Sequence, residues 1–184
     1  MTDFFIKSDI SRNDAEKVVS ETLKNCDDGE LYLENSKTEN IVLDDSKIKN
    51  SSYNSDIGYG LRAVTGEVIA YSHSNEISKN SLKNSSENLK STLKSKKGTY
   101  NHSIPKSNTK YYEDKNPIEE KSFSSKIKIL EEIDKYTRSK NPNVKQVTAN
   151  FLGEHKSVEI IRAGGEILTD IRPLVRFNVS VVLE

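Results

Sequence analysis

Three histidines, one cysteine and a pair of adjacent aspartates are the residues of this 184-residue chain with the most obvious chemistry to offer. Zinc needs convergent donors, commonly two histidines one helical turn apart and a third ligand. His73, His102 and His155 are spread along the chain, in a predicted strand end, loop and hairpin turn, and read as surface histidines. Glu154-His155 sets an acid beside a histidine but has no second histidine near it. Cys26 falls at a predicted helix end in Asn25-Cys26-Asp27-Asp28, where two acids would raise the thiol pKa and not activate it. It reads as a small semi-buried residue. Serines are abundant, but no Gly-x-Ser-x-Gly elbow occurs. Asp44 and Asp45 would point apart in a strand and serve the backbone in a turn, so a hairpin role outweighs acid–base work.

The glycines of GYGLRAVTGE do not form a phosphate loop, because no helix start and no Lys-Ser/Thr pair follows them. Gly58 and Gly60 alternate along one strand and leave one face bare, which lets another backbone approach. That backbone is an extended substrate or a neighbouring strand, with sheet packing the plainer of the two. Arg62 and Arg176 occupy corresponding strands of two similar halves, each placed to form a structural ion pair with a carboxylate such as Asp44 or Asp170. Gly58, Gly60, Arg62 and Arg176 are therefore the candidate peptide- or partner-docking residues. No catalytic or metal residue is assigned.

These positions depend on strands. From Glu30 to Ser74, alternation at Leu31 and Leu33, the run Ile41-Val42-Leu43, and the segments 47–49, 57–64 and 68–71 predict a meander of short strands. Asp44-Asp45-Ser46, Asn54-Ser55-Asp56 and Thr65-Gly66-Glu67 are its turns. A helix precedes it, N-capped by Ser11 with Asp14 as an acidic capping-box partner and stopped near Gly29. A mostly polar helix from about Asn75 to Ser95 follows. Lys94 to Ser122 loses all periodicity and reads as a long loop, a connector or partner contact, anchored by Tyr100, Tyr111 and Tyr112. Phe123, Ile127, Leu130, Ile133 and Tyr136 mark the strongest helix, ended by Asn141-Pro142. A second meander has strands at 144–152, 158–162, 166–171 and 174–183, with turns at Gly153 to Lys156 and Ala163-Gly164-Gly165. The fold class is α+β: duplicated helix plus antiparallel β-meander units, with helices packed on a mainly antiparallel sheet. The halves are 1–95 and 122–184, joined by the loop 96–121.

The segments that begin YLENSKTENIVLDD and VKQVTANFLGEH, most specifically GYGLRAVTGE and DIRPLVRFNVSV, resemble the amino-terminal domain of the TldD/PmbA family of zinc metallopeptidases, once described as modulators of DNA gyrase. The resemblance covers most of the chain and is weakest from Lys94 to Ser122. It implies a peptide-processing enzyme working as a two-protein complex. Its zinc would be held by a His-Glu-x-x-x-His helix and would activate water with the glutamate's help. That motif does not occur in this sequence, and Glu184 directly follows the alternating strand LVRFNVSVVL. The expectation is a chain truncated before the catalytic domain, with no cofactor of its own and no activity alone. It would contribute scaffold, a dimer surface and a peptide-docking edge. Its partner would be a TldD/PmbA-family chain, as homo- or heterodimer, or a separately encoded catalytic half. The alternative is a stand-alone interaction module, or a decayed gene fragment, pairing an exposed sheet edge with a partner.

Bulk properties bound the remaining classes. Lys plus Arg equals Asp plus Glu at 28 each, so no global field draws nucleic acid or an anionic membrane. A DNA-binding role gets no support from charge. A single cysteine forbids an internal disulfide, and no leader-like or membrane-spanning apolar run is present, so a cytoplasmic protein is expected.

Overall fold

The computed structural model describes residues 3–93, 97–98 and 111–184. The central part of the expected loop, with Tyr100, His102 and Pro105, lies outside the described residues.

Helix α1 (Arg12–Leu23) starts where the sequence places it. Ser11 is extended, its Oγ accepts from the Asp14 amide at 3.2 Å, and it donates to the Asp14 carboxylate at 2.8 Å. Ala15, Val19, Thr22 and Leu23 form its buried stripe. Gly29 does not stop this helix; it lies inside the next strand. A Cβ there would sit 2.6 Å from both the Arg62 carbonyl oxygen and a Leu23 methyl, so only glycine lets helix and strand close up.

The strands are longer than their sequence segments. β1 (Asp28–Asp44) and β2 (Lys47–Thr65) form one long hairpin through Asp45 and Ser46, both at positive φ. β3 (Val68–Ser74) pairs antiparallel with β2 across Gly66, at φ 58°, with Thr65 opposite Val68 and Gly60 opposite His73. Asn54-Ser55-Asp56 is not a turn, because β2 runs through it unbroken. β4 (Val144–Arg162) likewise runs through Gly153 to Lys156. Gly153 serves packing there: a Cβ would crowd the Phe151 ring at 3.1 Å and Ile118 at 3.2 Å. In both cases pairing with a long neighbouring strand outweighs local turn propensity. The Gly164-Gly165 turn, at φ 97° and 84°, leads into β5 (Ile167–Leu183). β5 continues through Pro173, since an edge strand tolerates a missing amide donor.

The sheet order is β3-β2-β1-β4-β5. β1 and β4 are antiparallel, since Ala163 donates to the Gly29 carbonyl at one end and Asp45 to the Val147 carbonyl at the other. With helix α2 (Lys79–Thr92) and helix α3 (Phe123–Lys140), this is an α+β fold with an antiparallel sheet. α2 is shorter than expected because Ser78 caps it and Leu93 closes it.

Contacts divide the chain into two compact units, through both of which the long strands pass. Unit 1 is 1–35, 56–111 and 157–170; unit 2 is 36–55, 112–156 and 171–184. In unit 1, α1 and α2 cover one sheet face over Leu31, Leu33, Leu61 and Ile161, all at most 1 % exposed. A hydroxyl seam crosses this core: Thr22 to Ser86 at 2.6 Å, and Tyr59 to Ser81 and Ser85 at 2.8 and 2.9 Å. In unit 2, α3 packs Leu130 on Ile41, Leu43, Ala149 and Phe151. The inward face of α3 is Lys126, Leu130 and Asp134, while Phe123 and Tyr136 are exposed. The two buried charges are compensated. Lys126 Nζ donates to Glu39 and, at 2.5 Å, to the Ile118 carbonyl. Asp134 accepts from Ser46 at 2.5 Å and from Arg138 at 3.1 Å. Tyr111 and Tyr112 are largely exposed, while Ile118, at the described end of the loop, is buried.

Candidate functional site

Alternation on β1 sends Leu31 and Leu33 into the core of unit 1 and turns Tyr32 and Glu34 to the opposite face, away from α1 and α2. On that face β2 presents Gly58, Gly60 and Arg62, and β3 presents Tyr71 and His73. Together Tyr32, Glu34, Gly58, Gly60, Tyr71 and His73 line an open groove of about 260 Å³. The Tyr32 hydroxyl donates to Glu34 at 2.6 Å. The Tyr71 and His73 rings stack, with centroids 5.7 Å apart and planes inclined by 25°.

The two glycines are used differently. A Cβ on Gly58 would meet the Ser74 carbonyl oxygen at 2.7 Å, so here the approaching backbone is the end of β3. A Cβ on Gly60 would meet the Tyr71 hydroxyl at 2.6 Å, so the Tyr71 ring lies across the bare strand. Tyr71 is nonetheless 63 % exposed and forms a wall of the groove.

Arg62 lies one alternation beyond Gly60. It pairs with neither Asp44 nor Asp170: its guanidinium takes both oxygens of Glu30, at 2.7 and 2.9 Å, and Asp28 at 2.6 Å. Those acids stand on the neighbouring strand β1, directly within reach across the ladder. Asp28 also accepts from Arg162 of β4 at 2.8 Å. Burial pushes the Asp28 carboxyl up, but the hydrogen bonds and charge of Arg62, with the Arg162 bond, hold it below the usual carboxylate value. The Glu30 hydrogen bond, followed by Asp28, raises the Arg62 pKa. Arg162 Nε is buried without a hydrogen-bond partner among the described residues. This is a compensated ion cluster. Arg176 belongs to unit 2, on β5, and donates to the Asn178 side chain at 3.0 Å. Gly58 and Gly60 thus share the groove, Arg62 is engaged in the adjoining cluster, and Arg176 is in the other unit.

The remaining candidates are structural in their surroundings. Asp44 accepts from Gln146 and Thr148 at 2.9 and 2.8 Å. Cys26 is buried, with its thiol 3.8 Å from the Thr22 carbonyl. Burial first, with a lesser contribution from Asp27, raises its pKa, so desolvation and not the flanking acids dominates. His155 is in mid-strand and bonds Asp114 at 3.2 Å, and His73 is in the groove. Among the described residues no three His, Cys, Asp or Glu side chains are grouped to hold a metal, so these residues do not fit a zinc site. Sequence reasoning missed Tyr32, Glu34, Tyr71 and His73. Their signal was parity: each pair is spaced by two on the outward side of a strand whose inward side is apolar.

Two family models match the chain: PmbA/TldA metallopeptidase domain 1 over residues 29–95, and the PmbA/TldA metallopeptidase central domain over 116–184. Metalloprotease TldD homologues of Buchnera aphidicola subsp. Schizaphis graminum and Haemophilus influenzae are each 32 % identical to it, over 87 and 88 % of this chain. The chain spans about a third of the length of these relatives, 33 and 34 %. Among crystal structures, a candidate modulator of DNA gyrase from Bacteroides thetaiotaomicron shares the fold with a TM-score of 0.70 at 13 % identity, over 95 % of this chain and 42 % of that one. A second, from Thermotoga maritima, gives 0.61 at 10 % identity, over 85 and 39 %. The chain belongs to the PmbA/TldD metallopeptidase family.

Proposed function

We propose that this chain acts as the non-catalytic amino-terminal part of a TldD-like zinc metallopeptidase in peptide processing, supplying scaffold, a dimer surface and a peptide-docking groove in the cytoplasm. The observation that carries the reading is the groove over Gly58 and Gly60. It is the sheet face of unit 1 opposite α1 and α2, walled by the exposed Tyr71 ring stacked on His73 and floored by glycine backbone. An extended peptide suits such a site: a flat apolar side chain stacks on the aromatic pair, and the glycines below leave room for it to lie close to the sheet. Hydrolysis is not assigned to these residues, since none of the described ones group as zinc ligands. In the full complex a family chain carrying His-Glu-x-x-x-His would supply the metal and the activated water.

A pull-down of the tagged chain from its own cells, read by intact mass and zinc content, tests this. The expected result is a co-purifying family polypeptide with stoichiometric zinc, and peptide cleavage by the pair that Tyr71→Ala slows through a raised KM. Recovery of the chain alone and free of zinc would overturn the peptidase reading. The alternative of a stand-alone interaction module would then stand, which the exposed apolar strand β5 favours.

A further inference from the structure

The groove over Gly58 and Gly60 has two unlike ends. Alternation puts Asp56 on the same side of β2 as Gly58, Gly60 and Arg62, each about 7 Å from the next, and Asp56 lines the groove. At one end Arg62 donates to Glu30 and Asp28, and Asp28 also accepts from Arg162, so two cations meet two anions. At the other end stands exposed Asp56. Glu34 of β1 lines the same groove, its carboxylate accepting from Tyr32 at 2.6 Å. Among the described residues that line it, none is lysine or arginine, and only His73 can gain a positive charge. Carboxylates facing one cleft without a cation focus a negative potential there.

We propose that this acidic end selects a long cationic side chain, arginine or lysine, two residues along the peptide from the apolar one on the Tyr71–His73 pair. Side chains on one face of an extended peptide recur every two residues, again about 7 Å. His73 is level with Gly60 in the ladder. A peptide lying along β2 with one residue on the aromatic pair therefore brings the residue two places away over Gly58. From there the methylene stem lies on glycine backbone beside the Tyr71 ring, and the charged head extends to Asp56. Glu34 on the neighbouring strand adds to the attraction. The ring face next to the cation contributes a cation–π interaction. Arginine is favoured over lysine, because its planar fork takes a carboxylate through two hydrogen bonds. An acidic side chain in the same place is repelled.

This inference rests on the peptide-docking reading of the groove and adds its selectivity. The test titrates the purified chain with the acetylated, amidated peptide Arg-Gly-Phe-Gly-Arg and with its norleucine and glutamate counterparts. Arginine on both sides of phenylalanine serves either strand direction. Binding is read from amide chemical shifts at residues 56–60 and 71–75. The arginine peptide should bind about tenfold more tightly than the norleucine one at low salt, and the glutamate peptide most weakly. The advantage should shrink at about 0.5 M salt. Asp56→Asn should cut it to about threefold, and Asp56→Lys, at an exposed position, should abolish it. Three peptides that bind equally, all weakened alike by Tyr71→Ala, would overturn the cationic selectivity and leave the docking groove standing. No shift with any of the three would overturn both. An arginine preference that persists in Asp56→Lys would put the cation elsewhere and overturn the assignment.

Discussion

Unit 1 and unit 2 share the long strands β1, β2, β4 and β5 but hold them differently. Unit 1 lays two helices over a broad apolar core built on Leu31, Leu33, Leu61 and Ile161, crossed by hydroxyls that bond one another, and its buried Glu159 is met by the half-exposed Arg12 at the margin of that core. Unit 2 has one helix, and that helix turns a lysine and an aspartate inward on either side of Leu130. Lys126 is 3 % exposed with its amine on Glu39, on a backbone carbonyl, and 5.4 Å from the Phe151 ring centre. Apolar burial is nondirectional and survives small errors of geometry, whereas a buried charge holds only while its partner is present. The units should therefore fail in different ways.

The sharpest contrast is Lys126→Ala. It leaves the nearly buried Glu39 carboxylate without its cation, and should cost about 3–5 kcal/mol by urea denaturation. Adding Glu39→Leu to Lys126→Met should recover most of that, because a well-packed apolar pair often matches a buried ion pair. If the double variant is no better than Lys126→Ala, the pair is not the unit's main dependency. In unit 1 the matching test is Leu61→Ala, at 0 % exposure. The expected loss is ~3 kcal/mol from transfer and cavity terms, and no second-site charge change should rescue it.

Acid sharpens the comparison within unit 1, where two carboxylates are shifted in opposite directions. The Asp28 pKa is lowered, so its contribution is present above the ordinary aspartate value and is lost as pH falls through the folded-state pKa. Glu159 is raised by burial, against the pull of Arg12, which grips it at 3.0 and 2.8 Å. Its contribution is present below the ordinary glutamate value and is lost as pH rises through the folded-state pKa. The slope of unfolding free energy against pH in the acid range should flatten in Asp28→Asn and steepen in Glu159→Gln. Equal slopes in the two variants would mean that the Arg62 cluster does not hold Asp28 low.

Much of this was legible in the sequence, and the exceptions share a cause. Ser11 as a cap, Asp45-Ser46, Gly66 and Gly164-Gly165 as turns, and the inward set of β1 all follow from local rules of capping, positive φ and alternation. What local rules could not show was what lies across a ladder. Asn54 to Asp56 has turn composition, yet remains strand inside β2. Arg62 finds its acids at positions 28 and 30 because β1 is its neighbour, a pairing that spans 32 and 34 residues. Lys126 and Asp134 turn inward toward partners, Glu39 and Ser46, that are 87 and 88 residues away and so lie beyond what helical periodicity can show. The groove was half visible: its glycine floor breaks the strand pattern, while its aromatic walls look like ordinary outward residues.

The smallest predicted effect separates floor from wall in that groove. Alanine at Gly58 drives a methyl into the Ser74 carbonyl, a backbone atom that moves only with the end of β3, so a loss of about 1–3 kcal/mol is expected. Alanine at Gly60 meets the far end of the Tyr71 ring, which is largely exposed and free to swing outward. Alanine also restricts the unfolded chain, which favours folding by roughly 0.5–1 kcal/mol and offsets most of the displacement. Gly60→Ala should therefore leave the urea midpoint nearly unchanged while disturbing the Tyr71–His73 stack, seen as a change in near-ultraviolet circular dichroism. A Gly60→Ala loss as large as that of Gly58→Ala would show that Tyr71 is fixed packing. The groove would then lack the adaptable wall that peptide docking requires of it.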